Sequence, residues 1–167
     1  MMADNMAMDV LLEPIVGQVI IAKNYLGAAY LPEWGFNGIG DVNTGEGYQI
    51  KTTEAAELTI AGDYMTPEEN SVALVTGWNM IGYLRLEAAP ADLVLAELVD
   101  TDNLIIAKDY LGAAFLPEWG FNGIGDLEPG KGYQIKTNTE GTLNFLSNDQ
   151  SYRLTPMKVT DNNLVHF

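Results

Sequence analysis

The strongest constraint on the fold is an internal sequence repeat, because residues 20–52 recur as residues 105–137. Residues 31–41 and 116–126 are identical and read Leu-Pro-Glu-Trp-Gly-Phe-Asn-Gly-Ile-Gly-Asp in both copies. A repeat of this kind indicates that one supersecondary unit is used twice, and it identifies a building block rather than a reaction. The copies differ only at Asn24/Asp109, Tyr30/Phe115, Val42/Leu127, Asn43/Glu128, Thr44/Pro129 and Glu46/Lys131.

Apolar periodicity predicts the same order of elements in both copies. Residues 8–16 and 90–99 carry crude helical stripes, and Pro90 suits the first turn of the second helix. The glycines in residues 33–40 and 118–125 favour irregular loops. We therefore expect an α+β, mainly β fold made of two tandem copies of a small antiparallel β module with one short helix each. The predicted strands are residues 19–23, 28–31, 48–51 and 57–61 in the first copy and residues 104–108, 113–116, 133–136 and 142–146 in the second.

One predicted element has no counterpart in the first copy. Residues 71–83 are typical of a strand, a Gly bulge and a second strand. We therefore divide the chain into a first module at residues 1–65 that lacks this strand pair, a complete second module at residues 66–148, and an unrepeated tail at residues 149–167. A sheet that lacks a strand exposes unpaired backbone groups along one edge. We expect the tail or a neighbouring chain to fill this edge, the latter as a homodimer formed by edge pairing or strand exchange.

The composition narrows the range of partners. The chain of 167 residues carries a formal net charge of −15, with 23 acidic and 8 basic residues. Such a polyanion repels nucleic acid, which is therefore excluded as a partner. No apolar run reaches the roughly 18 residues that a membrane-spanning helix needs, so membrane insertion is not expected. The absence of cysteine excludes disulfides and thiolate chemistry.

The first residues do not have the pattern of a signal peptide. Residues 1–16 contain Asp4, Asp9 and Glu13 but no Lys or Arg, whereas a signal peptide has a basic start and an unbroken apolar stretch. Two localisations therefore stay open. Either the protein is cytoplasmic, or the sequence begins inside a longer exported precursor.

Two further motifs carry a resemblance to a known family. Residues 77–82 read Gly-Trp-Asn-Met-Ile-Gly, and residues 127–136 read Leu-Glu-Pro-Gly-Lys-Gly-Tyr-Gln-Ile-Lys. The pair resembles a repeat module of bacterial secreted and cell-surface proteins, in which the first motif opens the unit and the second closes it. The resemblance covers residues 71–146 fully and residues 8–61 partly, although Gln134 stands where that group often has an aromatic residue. It implies an accessory or adhesive module that is exported as part of a longer chain.

Residues that could support catalysis are sparse. The single histidine, His166, is the penultimate residue, and a lone terminal histidine is a poor candidate for a general base. Glu33 and Asp41 recur as Glu118 and Asp126, and paired carboxylates can hydrolyse glycosides when they face each other across a sugar. Their spacing across a glycine-rich loop does not define a distance. We therefore expect no enzymatic activity and no cofactor, and a glycoside-active enzyme is the least favoured alternative.

A calcium site is a weak hypothesis at residues 41–46. Asp41, Asn43 and Glu46 place oxygen atoms close together in sequence, as calcium loops do. In the second copy, Lys131 puts a cation where the last ligand would lie. The favoured interpretation is an Asx-type turn that closes a hairpin, without a metal.

The repeated aromatic residues are the best candidates for ligand binding. Exposed aromatic rings bind sugars through apolar contact, with nearby Asn and Glu for the hydroxyls, and two copies give bivalent binding. The same rings could instead be buried as core plugs that pin the glycine-rich loop, and this is the interpretation that we favour from sequence. The candidate ligand-binding residues are Glu33, Trp34, Phe36, Asn37, Glu118, Trp119, Phe121 and Asn122.

These observations favour a non-catalytic structural or adhesive repeat module of an exported or cell-surface bacterial protein. Its expected ligand is a glycan or another protein. The main alternative is a carbohydrate-binding module that uses the two Trp loops.

Overall fold

A computed structural model describes residues 6–60 and 65–149. The fold is mainly β, with several antiparallel sheets and a few short helices. The α-helices are α1 (Met8–Leu11), α2 (Ala91–Val94) and α3 (Ala96–Asp100), and 3-10 helices span Glu13–Gln18, Pro32–Trp34, Pro67–Glu69 and Pro117–Trp119. The strands are β1 (Val19–Lys23), β2 (Ala29–Leu31), β3 (Phe36–Asn37), β4 (Gln49–Thr52), β5 (Val72–Leu74), β6 (Gly77–Gly82), β7 (Ala89–Pro90), β8 (Leu104–Lys108), β9 (Ala114–Leu116), β10 (Phe121–Asn122), β11 (Asp126–Leu127), β12 (Gly132–Thr137) and β13 (Gly141–Leu143).

The two copies of the sequence repeat form strands in the same order. The first sheet has the order β3-β2-β1-β4, and the second has the order β10-β9-β8-β12-β6. The registers also agree, since Ala22 lies opposite Tyr30 and Ile50, while its counterpart Ala107 lies opposite Phe115 and Ile135. The difference between the sheets is β6, which adds a strand to the outer edge of β12.

Strand β6 also contacts the first copy of the repeat. Glu46 forms an isolated antiparallel bridge with Ile81. The Gly47 N–H donates to the Met80 carbonyl oxygen at 2.9 Å, and the Gly82 N–H donates to the Gly45 carbonyl oxygen at 2.8 Å. One edge of β6 therefore pairs with β12, and the other edge pairs with the turn that precedes β4.

Glycines make this close approach of the backbones feasible. A Cβ atom placed on Gly47 would lie 2.6 Å from the Ile81 carbonyl oxygen, which is shorter than real contacts of this kind. The carbonyl oxygen of Glu46 lies 3.2 Å from the position of a Cβ on Gly82. Any side chain at Gly47 would have to push β6 away, so glycine is required there for steric reasons.

The structure changes our expectation for the open edge. We expected the tail or a neighbouring chain to fill it, but β6 of the same chain covers the part of that edge at residues 45–47. Within the described residues, the β4 segment Gln49–Thr52 pairs only with β1. Residues 150–167 of the tail, including His166, lie outside the described part of the chain, so its predicted role stays a prediction.

The hydrophobic cores reflect the unequal surroundings of the two sheets. The core of the second sheet includes residues from β5, β6 and β13, whereas among the described residues no strand of this kind packs beside the first sheet, where Leu58, the counterpart of Leu143, is only partly buried. As a result, Ile135 of β12 is fully buried, whereas the equivalent Ile50 of β4 is 41% exposed. The first core is smaller and consists of Met8, Leu12, Ile15, Val19, Ala22, Tyr30 and Val42.

Some predicted elements differ from those observed. No strand forms over residues 57–60, whereas its counterpart in the second copy is β13, which pairs with β5. The predicted first-copy strand is therefore wrong over these residues, because no strand among the described residues pairs with them as β5 pairs with β13. Each expected single helix is instead two short helical segments, separated by Leu12 or Leu95. No helix within residues 6–60 and 65–149 is long and apolar enough to cross a bilayer.

Candidate ligand-binding surface

The aromatic rings of the repeated loops lie at the surface. Trp34 and Trp119 each end a short 3-10 helix, and each side chain is 74% exposed. Phe36 and Phe121 follow in β3 and β10 and are also exposed. The sequence-based preference for buried core plugs is therefore wrong. We call Pro32–Asn37 and Pro117–Asn122 the aromatic loops.

Local backbone geometry fixes each aromatic loop. Proline begins the 3-10 helix of the first loop, and Gly35 ends it in the left-handed conformation with φ of 58°. The Gly35 N–H donates to the Pro32 carbonyl oxygen at 3.0 Å. The second loop has the same hydrogen bond, and Gly120 has φ of 59°. A residue with a Cβ atom would be strained at these glycines, so the turn that presents each Trp is specified by sequence.

The asparagines of the loops have a structural role. The side chain of Asn37 accepts a hydrogen bond from the Gly40 N–H at 2.9 Å and donates to the Gly40 carbonyl oxygen at 3.2 Å. It also donates to a carboxylate oxygen of Asp9 at 2.8 Å. In the second loop, Asn122 makes the same pair of bonds with Gly125. These amides close the loops by bonding to the backbone of Gly40 and Gly125, and both N–H groups of Asn37 are used.

A glycine lies under each phenylalanine ring. A Cβ atom on Gly38 would lie 2.8 Å from the ring of Phe36 and 3.1 Å from the Ala29 carbonyl oxygen. The equivalent distance from Gly123 to the ring of Phe121 is 2.9 Å. Each Phe ring is therefore held against bare backbone, which leaves its outer face available to a ligand.

The remaining predicted members are the glutamates of the loops. Glu33 and Glu118 are exposed and lie immediately before the tryptophans, in the first turn of each 3-10 helix. The structure thus brings Glu, Trp and Phe together on each loop. It assigns the fourth predicted residue, Asn37 or Asn122, to holding the loop together.

The predicted metal loop at residues 41–46 is closed by a tyrosine. The Asn43 N–H donates to the hydroxyl of Tyr48 at 2.9 Å, and that hydroxyl donates to a Glu46 carboxylate oxygen at 3.1 Å. Burial raises the pKa of Tyr48 to about 12; the hydrogen bond from Asn43 opposes the rise and the Glu46 charge adds to it. Asp41 is engaged through its backbone in a bridge with Ala7. Within the described residues, no group of three His, Cys, Asp or Glu side chains could hold a metal ion.

In the second copy, a lysine replaces the glutamate of this hydrogen-bond network. The hydroxyl of Tyr133 accepts a hydrogen bond from the Glu128 N–H at 2.9 Å. Lys131 stands where the first copy has Glu46, and its ammonium group lies 2.8 Å from the carboxylate of Glu128. Burial also raises the pKa of Tyr133, whereas the Glu128 hydrogen bond and the Lys131 charge lower it. The two turns therefore share a shape but not an electrostatic environment.

The tips of the β1–β2 and β8–β9 hairpins are exposed apolar positions that are not among the residues predicted from sequence. Leu26 is 74% exposed and its counterpart Leu111 is 76% exposed. The side chain of Asn24 accepts hydrogen bonds from the N–H groups of Leu26 and Ala28, and Asp109 caps the second tip in the same way. The Asn or Asp three residues before a Gly was the available signal for this turn.

Comparisons of the chain with protein-family models, with curated proteins and with solved structures gave no match.

Proposed function

We propose that this chain is a non-catalytic adhesive module of an exported protein, built from two copies of one β unit. In this proposal the aromatic loops are its ligand-binding surface. The observation that carries the proposal is the 74% exposure of both Trp34 and Trp119 on loops whose backbone is fixed. The resemblance of residues 77–82 and 127–136 to modules of secreted and cell-surface bacterial proteins supports export.

Exposed tryptophans on fixed loops favour a binding role for an energetic reason. A Trp side chain buries about 150–250 Å² when it is fully covered, so each exposed ring offers roughly 150 Å² to a partner. At about 25 cal/mol per Å², covering one ring contributes about 4 kcal/mol before the cost of association is subtracted. Because the loop backbone is already ordered, little of this free energy is spent on ordering the binding surface.

The adjacent groups favour a carbohydrate as the ligand. The face of a sugar ring packs against an aromatic ring, and the neighbouring carboxylates of Glu33 and Glu118 can accept hydrogen bonds from sugar hydroxyls. Two identical loops suit a ligand that itself repeats, because the second contact becomes intramolecular once the first has formed. A polysaccharide has such a repeat.

A glycan array at physiological salt tests this proposal. We expect the wild-type chain to bind a subset of neutral glycans, Trp34→Ala or Trp119→Ala to weaken binding, and the double variant to abolish it. The control is Leu86→Ala, which removes an exposed apolar side chain outside the loops and should bind as the wild type does. All variants should melt close to the wild type, because truncating an exposed side chain changes stability by about 0.5 kcal/mol or less.

Two results contradict the proposal. One is a wild-type chain that binds no glycan, which leaves a purely structural module as the function. The other is a double Trp variant that folds and still binds the same glycans as the wild type.

A further inference from the structure

The basic residues of this acidic chain are concentrated on one side of the sheets. Six of the eight Lys and Arg residues lie in the described part of the chain, and one of them, Arg85, is buried. The other five are all on β1, β4, β8 and β12 or in the turn before β12. They are Lys23, Lys51, Lys108, Lys131 and Lys136.

Strand register places four of these lysines on the face opposite the core. In the first sheet, Lys23 lies opposite Gln49 and Lys51 lies opposite Ile21. Directly paired residues of antiparallel strands point to the same face, and Ala22, between Lys23 and Ile21, points into the core. The second sheet repeats the arrangement with Lys108 opposite Gln134 and Lys136 opposite Ile106.

A cleft lies where the first-sheet lysines meet the second copy. Its volume is about 630 Å³, and its lining includes Lys23, Lys51 and Lys131 together with Gln49 and Gln134. Such a volume is within the usual range of small-molecule sites, which is about 300–1,000 Å³. The cleft thus combines three ammonium groups with two amide side chains that can both donate and accept hydrogen bonds.

The charges in the cleft are incompletely compensated. Within residues 6–60 and 65–149, the one salt bridge joins Lys131 to Glu128, so Lys23 and Lys51 have no carboxylate partner there. The one acidic residue that lines the cleft is Asp109. Its carboxylate already accepts hydrogen bonds from the N–H groups of Leu111 and Ala113, at 2.9 and 2.8 Å.

The equivalent lysines of the second sheet have a different environment. The ammonium groups of Lys108 and Lys136 lie 5.1 and 5.8 Å from the ring centroid of Trp78, in the range of cation–π interactions. Trp78 belongs to β6, and no described strand pairs with the outer edge of β4 in the same way. One lysine pair is therefore engaged with an aromatic ring, and the other faces the cleft.

We propose that this cleft binds a short acidic oligosaccharide. Lys23 and Lys51 would hold its carboxylate or sulfate group, and Gln49 and Gln134 would hydrogen-bond its hydroxyls. A short ligand is favoured over an extended polyanion, because the net charge of −15 repels long anionic polymers. The site is separate from the aromatic loops, since neither Trp34 nor Trp119 lines the cleft.

Calorimetry with three matched trisaccharides tests the site: a uronic acid trimer, a sulfated trimer and a neutral trimer of equal length. In the Trp34→Ala/Trp119→Ala variant, whose aromatic loops no longer contribute, we expect at least one acidic trimer to bind, the neutral trimer to bind about tenfold or more weakly, and affinity to fall as salt is raised. Comparing the affinities of the uronic acid trimer and the sulfated trimer shows whether the cleft prefers a carboxylate or a sulfate group.

The sequence repeat supplies a control with the same net charge. Lys23→Gln/Lys51→Gln should weaken binding of the acidic trimer about tenfold or more for each lost charge-assisted contact. The counterpart variant Lys108→Gln/Lys136→Gln should weaken it by less than about threefold, because those lysines do not line the cleft. Trp34→Ala/Trp119→Ala should leave the affinity for the acidic trimer unchanged. The test of the cleft is therefore independent of the test of the aromatic loops.

Three results would overturn the inference. The first is no heat with either acidic trimer at low salt. The second is equal weakening by the two lysine variants, which would reflect net charge alone. The third is loss of acidic-trimer binding in the folded Trp variant, which would place the ligand on the aromatic loops.

Discussion

Gly47→Ala is the most direct test of the contact between the two copies of the repeat. The added Cβ atom would lie 2.6 Å from the carbonyl oxygen and 2.9 Å from the carbonyl carbon of Ile81. Both atoms belong to the backbone of β6, so no side chain can rotate away to relieve the overlap. We therefore expect the turn at residues 45–47 to separate from β6.

The expected loss of stability follows from the contacts at this point. Separation breaks the hydrogen bonds from Gly47 to Met80 and from Gly82 to Gly45, which contribute about 1 kcal/mol each. If the backbones stay in contact instead, overpacking costs about 1–3 kcal/mol. A loss of about 1–3 kcal/mol lowers the melting temperature by roughly 2–12 °C in a chain of this size.

Gly132→Ala is the matched control because Gly132 is the counterpart of Gly47 in the second copy. Its Cβ atom would lie 3.4 Å from the same Ile81 carbonyl oxygen, which is an ordinary van der Waals distance. We expect a change within about 1 kcal/mol, since replacing Gly in a strand also reduces the entropy of the unfolded chain. Differential scanning calorimetry of both variants measures the difference between their melting temperatures. If the two melt at the same temperature, the proposed shared use of β6 is refuted.

Two further predictions concern positions that differ between the copies. Ile135→Ala should cost about 2–5 kcal/mol and Ile50→Ala about 1 kcal/mol, because only Ile135 is fully buried; denaturant unfolding that gives equal losses would contradict the unequal cores. Glu46→Lys should lower the pKa of Tyr48 below about 12, because it removes a carboxylate that favours the neutral phenol. The raised pKa of Tyr48 contributes folding free energy that is fully present below the unfolded pKa of 10.0. This contribution is lost as pH rises through about 12. In the variant, the loss should be complete at a lower pH. Thermal unfolding across this alkaline range measures the shift, and an unchanged pH profile would show that the Glu46 carboxylate has no effect.

The strands were predictable wherever local pattern decides structure. The predicted bounds of β1 and β8 agree with those observed, since short Ile-rich runs bounded by polar residues favour strands. The strands are not buried throughout, because Ile20 and Ile105 are exposed. Residues 71–83, which have no counterpart in the first copy, are likewise predicted to form two strands. They contain β5 and β6. Val75 and Thr76 connect the two strands, and β6 begins at Gly77, whose φ is 93°.

The exposure of the tryptophans could not be predicted from composition. An apolar residue in a glycine-rich loop is compatible with burial or with display, and the difference depends on the direction in which the turn points. Here Pro32 and Gly35 set that direction, and the core is filled instead by Tyr30 of the adjacent strand. The sequence indicates which residues lie together on each loop. Whether their rings are buried or exposed depends on the path of the backbone.

The repeat also shows why identical segments need not have equal roles. Strand β6 pairs with β12 along its length but meets the first copy only near Glu46, so one sheet gains a full strand and the other gains a short bridge. Together with β5 and β13, which contribute to the core of the second sheet, this difference buries Ile135 and leaves Ile50 partly exposed. It also gives Lys108 and Lys136 an aromatic partner that Lys23 and Lys51 do not have among the described residues. Among the described residues, strands that accompany the second copy alone therefore convert two near-identical sequences into a packed copy and an open copy, and the cleft lies beside the open copy.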